Sequence, residues 1–388
     1  MGAKKIKIIH IITKLELGGA QQTTLYTLSH LDRHRYMPVL ICGPGGILLP
    51  DARKIKGLKI HICNHLVRPV SPLKDFLALI TLWRILRKER KDYKGPIQIH
   101  THSSKAGIIG RWAAFLAGIP IRIHTVHGFG INPYQPFLLR WLFILAEGLT
   151  GFITTSMIYV SQDNLQKGIK MGFSKQKNSL IIRSGIDWCK FSGTKGDRIS
   201  LRKELNIPVN SKLVGMIACF KPQKSPLDFI RMAYLVTQKL PDTHFVLIGD
   251  GILRAEIESM VAELGLHRNM HLTGWRRDIA DSISAMDIMT LTSLWEGLPK
   301  VVVEAQLMGV PVISTQVSGV EEIIKDNISG FIVPPGKSDI MAQKVIELLQ
   351  QPEVIRSMGI EARSVSRDFD LYRGVLKQDN LYRSLIKE

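Results

Sequence analysis

Short apolar runs alternate with longer amphipathic stretches along the whole chain, and this pattern limits the possible folds more than any other feature. In the first half, five apolar runs have the length of a buried strand, and each ends in polar or glycine residues: "IKIIHII", "MPVLICG", "IQIHTHS", "IRIHTVHG" and "GFITTS". Buried strands separated by amphipathic helices are typical of a parallel sheet covered by helices on both faces. Ligands of such sheets usually bind at the carboxyl ends of the strands.

The same alternation begins again after a polar stretch at 192–212. Six further runs of strand length follow it: "LVGMIAC", "THFVLIGD", "MHLTG", "DIMTLTS", "PVIST" and "GFIVP". With 388 residues the chain is too long for one ordinary core. The sequence therefore predicts two doubly wound α/β domains, at 1–195 and 196–370. A C-terminal helix at 371–388 is expected to return to the first domain.

Neither a leader peptide nor a membrane-spanning helix is expected. Basic residues precede the first apolar run, as in a signal peptide, but the run is short, contains His10 and leads into a glycine loop. A buried first strand is the better interpretation. The longest apolar segment, 136–153, is interrupted by Arg140 and Glu147, so it is not expected to span a membrane.

The four cysteines are widely spaced, at Cys42, Cys63, Cys189 and Cys219. They form neither a CxxC pair nor a cluster with histidine at metal-ligand spacing. We interpret them as reduced core thiols of a cytosolic protein.

The positive charge of the chain lies entirely in its first half. Residues 1–190 hold 28 lysines and arginines against nine acidic residues, whereas residues 191–388 hold 24 of each. The first domain is therefore expected to face something anionic: nucleic acid, a lipid headgroup surface or a phosphorylated substrate. No recognition motif accompanies the charge, which makes nucleic acid the least favoured of the three.

The stretch 71–94 joins apolar residues to a dense basic end. A basic amphipathic helix can lie on an anionic membrane. We therefore predict peripheral contact with the inner face of a membrane. The alternative is an ordinary helix that covers the sheet and keeps its basic end in solvent.

Two glutamates flank a proline and a run of valines in the segment "EGLPKVVVEAQLMGVPVIST" at 296–315. Pro299 suits the first position of a helix, and Gly309 suits its end. These positions predict a helix from about Pro299 to Met308, which places Glu296 in the preceding loop and Glu304 inside the helix.

A loop carboxylate and a helix carboxylate can converge on one ligand beside a helix N-terminus, where free amides attract phosphate. Carboxylates accept hydrogen bonds from paired hydroxyls, so a sugar or ribose is the natural partner. From spacing alone an ordinary interpretation stays equally open, in which Glu304 is an acid near a helix start and Glu296 a solvated charge.

The segment 271–336, which contains both glutamates, resembles the E-x7-E region of the retaining glycosyltransferases of family four. The resemblance implies an α/β fold of the GT-B type, with two doubly wound Rossmann-like domains facing across a cleft. It also implies that Glu304 holds the ribose hydroxyls of a sugar nucleotide and that Glu296 contacts the donor sugar. The backbone amides expected to face the diphosphate or the sugar are those of Gly297, Leu298 and Lys300.

A lysine-bearing loop, "CFKPQKSPLDF", follows the first strand of the second domain. Positive charge there stabilises a departing diphosphate. By resemblance Lys224 is a phosphate ligand. Cys219 stands where the family usually has arginine, and Ser225 where it has glycine. Lys221 is then the candidate for the second positive charge.

Two loops of the first domain are predicted to reach the ligand. Gly18 and Gly19 follow the first strand and open a helix, where glycine allows close approach to phosphate or sugar, although a plain tight turn explains them equally well. By resemblance His127 contacts the donor sugar near the reacting carbon, through hydrogen bonding and electrostatic alignment. Other histidines near it are expected to be structural: His100, His102 and His124.

The resulting expectation is a retaining, metal-independent hexosyltransferase that moves a sugar from a nucleotide diphosphate sugar, with UDP favoured, to a lipid-linked or saccharide acceptor. Such a reaction belongs to cell-surface polysaccharide or glycolipid synthesis in the cytoplasm. No cofactor is expected beyond the sugar nucleotide as co-substrate. The DxD spelling at Asp368 and Asp370 is interpreted as a helix start, so no metal site is predicted. The alternatives are a sugar-nucleotide epimerase of the same fold, or a non-catalytic sugar-nucleotide-binding protein if Cys219 has weakened the phosphate site.

Overall fold

The computed structural model describes residues 4–132, 134–188, 191, 197–366 and 368–386. Within it the chain forms two compact units. Unit 1 comprises Met1–Gly185 together with Leu371–Glu388, and unit 2 comprises Ile186–Asp370. The division falls at Gly185, before the boundary expected at 195. Cys189 lies outside the described residues.

Unit 1 is built on a seven-stranded parallel sheet with the strand order β3-β2-β1-β4-β5-β6-β7. Its strands are β1 (Ile6–Ile12), β2 (Tyr36–Cys42), β3 (Lys59–Ile62), β4 (Ile97–His102), β5 (Ile121–Val126), β6 (Ser156–Tyr159) and β7 (Ser179–Ile181). Its first six helices are α1 (Gly19–His30), α2 (Leu49–Arg53), α3 (Pro72–Lys91), α4 (Ser104–Leu116), α5 (Phe137–Phe152) and α6 (Gln162–Lys170).

Both faces of the unit 1 sheet are buried, which explains the uninterrupted apolar runs of its strands. Ile9 and Ile11 of β1 pack in one cluster with residues of α3 and α4. Ile8 and Ile12 point to the opposite face, where they pack in two further clusters.

Two predictions for unit 1 need correction. The run "GFITTS" is not a strand, because its first two residues form the last turn of α5 and the strand is Ser156–Tyr159. A short apolar run cannot be assigned to helix or strand by periodicity alone. The sequence also failed to predict β3 and β7, which are short strands at the two edges of the sheet and are incompletely buried.

Unit 2 is a six-stranded parallel sheet with the order β10-β9-β8-β11-β12-β13. Its strands are β8 (Leu213–Ile217), β9 (His244–Ile248), β10 (Met270–Gly274), β11 (Ile288–Leu291), β12 (Val312–Thr315) and β13 (Gly330–Val333). Its helices are α7 (Ser200–Glu204), α8 (Pro226–Thr237), α9 (Arg254–Glu263), α10 (Ile279–Ser284), α11 (Lys300–Leu307), α12 (Ser338–Leu349) and α13 (Pro352–Ser366). All six strands predicted for this half are present.

The last helix, α14 (Leu371–Ser384), belongs to unit 1 and packs against α1. It starts directly after Asp370, where the sequence predicted a helix start. Its Tyr382 is completely buried, and the Tyr382 carbonyl accepts a 2.7 Å hydrogen bond from Gln98 of β4.

Cys42 and Cys63 are buried thiols, and the thiol of Cys219 is partly exposed; none of these three forms a disulfide. Among the described residues, no helix combines the length and the hydropathy needed to cross a membrane.

Candidate functional site

In each sheet the strand order reverses at one place, and the loops that leave the two strands there diverge. In unit 2 this place lies between β8 and β11. Ligands of open parallel sheets bind at such a switch point. The loop after β8 carries Lys221 and Lys224, and the loop after β11 carries Glu296, so the topology brings together the two loops that the sequence singled out.

Backbone hydrogen bonds tie these two loops to each other. The Leu294 amide donates to the Gln223 carbonyl at 2.8 Å, and the Gln223 side-chain amide donates to the Trp295 carbonyl at 2.8 Å. The position of one loop therefore fixes the position of the other.

The Lys224 ammonium pairs directly with the Glu296 carboxylate. Ser293 donates a 2.7 Å hydrogen bond to the same carboxylate oxygen, Oε1. The side chains of Lys224 and Glu296 are 18% and 9% exposed, so both are held by the protein yet keep contact with solvent. The arrangement offers a cation suited to phosphate beside a carboxylate suited to hydroxyl groups.

Thr292 anchors the lysine loop, the segment 219–229 that follows β8. The sequence analysis did not identify Thr292. Its hydroxyl lies 2.9 Å from the carbonyl oxygens of both Lys224 and Ser225. Ser225 has φ +44°, the left-handed region in which glycine is favoured, and its hydroxyl donates to Asp228 at 2.7 Å. This backbone conformation explains why a glycine suits the position. The signal for Thr292 was the polar pair that follows the apolar part of "DIMTLTS".

The second glutamate lies on α11. Pro299 is the extended residue before this helix, so the helix begins one residue later than predicted. Glu304 is partly exposed, whereas Val302 and Val303 of the same helix are buried. Lys300 is the first residue of the helix.

The loop before α11 is held by a close backbone contact. Gly319 has φ +78°, and a Cβ atom there would lie 2.6 Å from the Gly297 carbonyl oxygen. Only glycine fits both conditions. The adjacent Leu298 is buried, so the Gly297–Leu298 backbone is fixed at the entrance to the helix. The sequence analysis did not identify Gly319.

Cys219 and Lys221 occupy the start of the lysine loop. The Lys221 amide donates to the Cys219 carbonyl at 2.9 Å, and Lys221 immediately precedes a 3-10 turn, Pro222–Lys224. The structure therefore places Lys221 directly before one short turn and Lys224 at its last position, with both side chains partly exposed.

In unit 1 the strand order reverses between β1 and β4. Thr13, just after β1, and Ser103, just after β4, approach each other with their hydroxyl oxygens 2.8 Å apart. Gly18 is the extended residue before α1 and Gly19 is its first residue, as the sequence predicted. These glycines thus open a helix at the carboxyl end of the sheet.

His127 follows β5, and its Nε2 atom lies 3.0 Å from Nδ1 of His102. The other histidines of these strands are buried and hydrogen-bonded. His100 contacts the hydroxyls of Tyr382 at 2.5 Å and Thr125 at 2.6 Å, and His124 contacts the hydroxyl of Thr101 at 2.9 Å.

Burial determines the charge state of this histidine cluster. It lowers the pKa of His10 to about 3 and holds the pKa of His100, His102 and His124 well below the ordinary 6.5. Neighbouring histidines lower the pKa of His100 and His102 further. These four rings are therefore neutral at physiological pH.

Three of these rings also satisfy a distance criterion for metal binding. Within the part of the chain that the structure describes, His10, His100 and His102 place one ring nitrogen each within 4.8 Å of the others. The rings of His10 and His102 are stacked, with centroids 5.0 Å apart, and a nitrogen of one lies 2.9 Å from a nitrogen of the other. The 2.9 Å separation is that of a hydrogen bond between the two rings.

Comparison with known sequences assigns both halves of the chain. Residues 17–187 match the family model described as Glycosyltransferase Family 4, and residues 197–365 match that of Glycosyl transferases group 1. A UDP-Gal:alpha-D-GlcNAc-diphosphoundecaprenol alpha-1,3-galactosyltransferase from Escherichia coli is 31% identical, over 98% of each chain. The chain belongs to glycosyltransferase family four.

Other members and structures agree with this assignment. CapM, a capsular polysaccharide biosynthesis glycosyltransferase of Staphylococcus aureus, is 25% identical over 88% of this chain and 90% of its own length. Among solved structures, Anabaena HepE in complex with UDP and glucose superposes with a TM-score of 0.81 at 21% identity, covering 97% of this chain and 99% of HepE. The GT-B fold predicted from the sequence is thereby confirmed. Neither an epimerase nor a non-catalytic binding protein is favoured by these similarities.

Proposed function

We propose that this family-four glycosyltransferase moves a hexose-type sugar from a UDP-sugar to a lipid-linked acceptor, with retention of anomeric configuration and without a metal ion. The observation that carries the proposal is the contact between Lys224 and Glu296 at the switch point of unit 2. This contact places a positive charge, which stabilises a leaving diphosphate, next to carboxylate oxygens. Those oxygens can accept hydrogen bonds from sugar hydroxyls.

The individual roles are those that the family resemblance implies, and they are part of the proposal. Lys224 neutralises charge on the departing diphosphate, with Lys221 as the second cation of the same turn. Glu296 accepts hydrogen bonds from the donor sugar, and Glu304 of α11 accepts them from the ribose. Several further residues are assigned to donor or sugar binding: Gly18, Gly19, His127, Gly297, Leu298 and Lys300.

The relationship to the E. coli enzyme supports the choice of substrates. That enzyme is named for UDP-Gal as donor and for a diphosphoundecaprenol-linked sugar as acceptor, and it aligns with 98% of this chain. We therefore take a UDP-hexose and a polyprenyl-diphosphate sugar as the substrate classes, which places the reaction in polysaccharide or glycolipid synthesis.

A lipid-linked acceptor requires access to a membrane surface, and α5 is suited to this contact. The residues that α5 buries are polar: Glu147 forms a 2.7 Å ion pair with Arg111 of α4, and Thr150 accepts a hydrogen bond from Trp112 at 3.0 Å. Its exposed residues are large and apolar, namely Phe137, Leu138, Trp141, Leu142, Leu145, Leu149 and Phe152. The helix is therefore amphipathic with its apolar side outward, as in a helix that lies on a bilayer.

Positive charge lies beside the carboxyl end of this helix. Arg90, near the end of α3, donates to the Ala117 carbonyl just after α4 at 2.8 Å, and Arg122 of β5 donates to the Ile153 carbonyl just after α5 at 2.5 Å. The basic end of α3 and the exposed Phe152 thus lie at the same end of unit 1. We propose that α5 enters the lipid while α3 contacts anionic headgroups. The sequence analysis had assigned the membrane contact to the segment of α3 alone.

Calorimetric titration of UDP, GDP and ADP in the presence of EDTA tests the donor site. We expect UDP to bind most tightly and Glu304→Gln to weaken it about tenfold or more, because charged hydrogen bonds to the ribose are lost. Glu263→Gln, an exposed glutamate of α9, is the matched control and should leave UDP affinity unchanged. A folded protein that binds none of the nucleotides would contradict the proposed donor site, and it would equally contradict a non-catalytic protein that binds sugar nucleotides.

Incubation with UDP-galactose or UDP-glucose and a polyprenyl-diphosphate sugar tests the reaction itself. The expected product carries an α-linked hexose, identified by its anomeric NMR coupling, and its formation resists EDTA. A β-linked product would contradict retention, and a requirement for added Mg²⁺ or Mn²⁺ would contradict metal independence. Conversion of the UDP-sugar to its epimer without acceptor would favour the epimerase.

A further inference from the structure

A continuous line of hydrogen bonds runs from the core of unit 1 to His127. Tyr382 Oη lies 3.4 Å from His10 Nε2, His10 Nδ1 lies 2.9 Å from His102 Nε2, and His102 Nδ1 lies 3.0 Å from His127 Nε2. The line therefore joins α14, β1, β4 and the loop after β5. His10 and Tyr382 are completely buried, and His102 is 3% exposed.

Each interior member of this line has one proton to donate. Burial keeps the pKa of His10 and His102 low, so both rings are neutral, and burial raises the pKa of Tyr382 well above 10, so its hydroxyl stays protonated. A neutral imidazole donates through one nitrogen and accepts through the other. The bonds along the line must therefore all point in the same direction.

Tyr382 sets that direction. Its oxygen lies 2.5 Å from His100 Nδ1 and 3.1 Å from Gln378 Oε1, both shorter than the 3.4 Å to His10 Nε2. The single hydroxyl proton goes to one of the two nearer acceptors, which leaves the oxygen to accept from His10 Nε2–H. His10 Nδ1 then accepts from His102 Nε2–H, and His102 Nδ1 accepts from the nitrogen of His127.

We propose that His102 is a positioning residue that fixes His127 in the tautomer with its proton on Nε2 and its lone pair on Nδ1. His127 Nδ1 is a buried atom, so its lone pair can accept only from a donor that enters this part of unit 1, and a hydroxyl of a bound sugar is such a donor. The link to catalysis rests on the proposed function of His127. The tautomer itself is a property of the folded protein and is measured without substrate, so the two can fail separately.

Histidine tautomers are read directly by two-bond ¹H–¹⁵N spectra of the full chain labelled with ¹⁵N-histidine. The His127 signal is assigned by its loss in His127→Gln, a variant used for nothing else. The wild-type protein should show protonated Nε2 and unprotonated Nδ1 at His127. Observation of the Nδ1–H tautomer, or of an equal mixture, in the wild-type protein would overturn the proposal.

Two substitutions at His102 separate positioning from packing. His102→Asn keeps an acceptor oxygen near the place of Nδ1, which faces His127, and loses the contact with His10. His102→Gln keeps a donor near the place of Nε2, which faces His10, and loses the acceptor for His127. We expect Asn to preserve the tautomer of His127 and Gln to produce a mixture.

Transferase kinetics provide the second readout. Loss of an orienting partner typically lowers activity about 10- to 100-fold, so His102→Gln should lower kcat by about tenfold or more, with His102→Asn closer to the wild type. If both variants lost the same amount of kcat and had the same midpoint of thermal unfolding, the role of His102 would be limited to packing. One tightly bound zinc ion per chain that disappears in His10→Gln would also overturn the proposal, because a metal would occupy the lone pairs of the line.

Discussion

Ser225 shows how a departure from the family pattern is accommodated at a single residue. The site requires a left-handed backbone just before α8, and serine adopts it at φ +44°. A side chain in this region costs roughly 1 kcal/mol relative to glycine. The Ser225 hydroxyl bonds to Asp228, and Thr292 bonds to the Ser225 carbonyl, so neighbouring contacts hold the strained residue in place.

Replacement of Thr292 by valine should loosen the lysine loop. Thr292→Val keeps the shape of a buried side chain but removes the donor to the Lys224 and Ser225 carbonyls, which should cost about 1–2 kcal/mol of unfolding free energy. Affinity for UDP should fall several-fold, because Lys224 is no longer held beside Glu296. Urea denaturation and calorimetry measure the two effects.

Thr290→Val is the matched control for this substitution. Thr290 lies on β11, two residues before Thr292, and is also buried, but its hydroxyl makes one long contact of 3.4 Å to the Gly215 carbonyl. It should cost less stability and leave UDP affinity unchanged. Equal losses of affinity in both variants would show that the hydroxyl of Thr292 does not position the loop.

The sequence predicted the positions of site residues better than their partners. Pro299 and Gly309 located α11 to within a residue at each end, because helix ends depend on local backbone chemistry. The pairing of Lys224 with Glu296 joins loops from different strands, and no local rule predicts it. His100 and His102 lie on one face of β4 because side chains alternate along a strand, but only the pairing of β4 with β1 brings His10 to them.

At the scale of elements, α5 departs furthest from the usual rule that a surface helix buries its apolar side. Its buried Glu147 contacts Arg111, which is itself completely buried, and such a pair anchors the polar side of the helix to α4. The sequence analysis noted Glu147 only as an interruption of an apolar segment. Which side of a helix faces the core depends on its partner, and the partner is not visible in the segment itself.

Replacement of two outward residues of α5 should abolish binding to membranes. The double variant Trp141→Ser with Leu145→Ser removes two large exposed apolar side chains, and we expect partitioning onto vesicles of mixed phosphatidylglycerol and phosphatidylcholine to fall about tenfold or more. Sedimentation at low and moderate salt measures it. Because the wild-type contact includes α5, part of its binding should survive moderate salt.

Ile252→Ser is the control for the α5 variant. Ile252 is 81% exposed but lies in unit 2, so its loss should not change vesicle binding. Neutralisation of Arg87, Lys88 and Lys91 to glutamine should remove only the salt-sensitive part. If the α5 variant binds as well as the wild type, the exposed apolar side of α5 has another purpose.

At the scale of the whole molecule, the buried histidines make unit 1 sensitive to acid. Burial lowers the pKa of four of its histidines in the folded state, so below an ordinary pKa of 6.5 the unfolded chain binds more protons. Stability from these groups is complete above pH 6.5 and is lost as the pH falls towards their folded values. Each histidine that takes up a proton on unfolding contributes a slope of about 1.4 kcal/mol per pH unit.

We therefore expect peptides from β1 and β4 to lose protection first as the pH is lowered from 8 to 5. Hydrogen exchange, corrected for intrinsic rates, measures this protection. Strands of unit 2 should respond less, because among the described residues of that unit burial lowers the pKa of two histidines, His244 and His271. His34→Gln replaces an exposed histidine and should leave the profile unchanged. Equal acid sensitivity in both units would contradict this account.

The general architecture was predictable from sequence because apolar runs of strand length report burial on both sides of a sheet. The edge strands β3 and β7 were not, because β3 is only partly buried and β7 is very short. The order of the strands, which creates the switch points, depends on pairing between distant segments and became visible only in the structure.

The return of α14 to unit 1 has a consequence for the order in which the protein is made. The amino-terminal strands leave the ribosome first, yet Gln98 and His100 of β4 cannot meet Tyr382 until the last helix has been synthesised. Unit 2 is continuous in sequence, so all of its residues are synthesised before that helix. Unit 1 is therefore translated first but completed last. Its nascent chain must remain soluble until α14 has been synthesised.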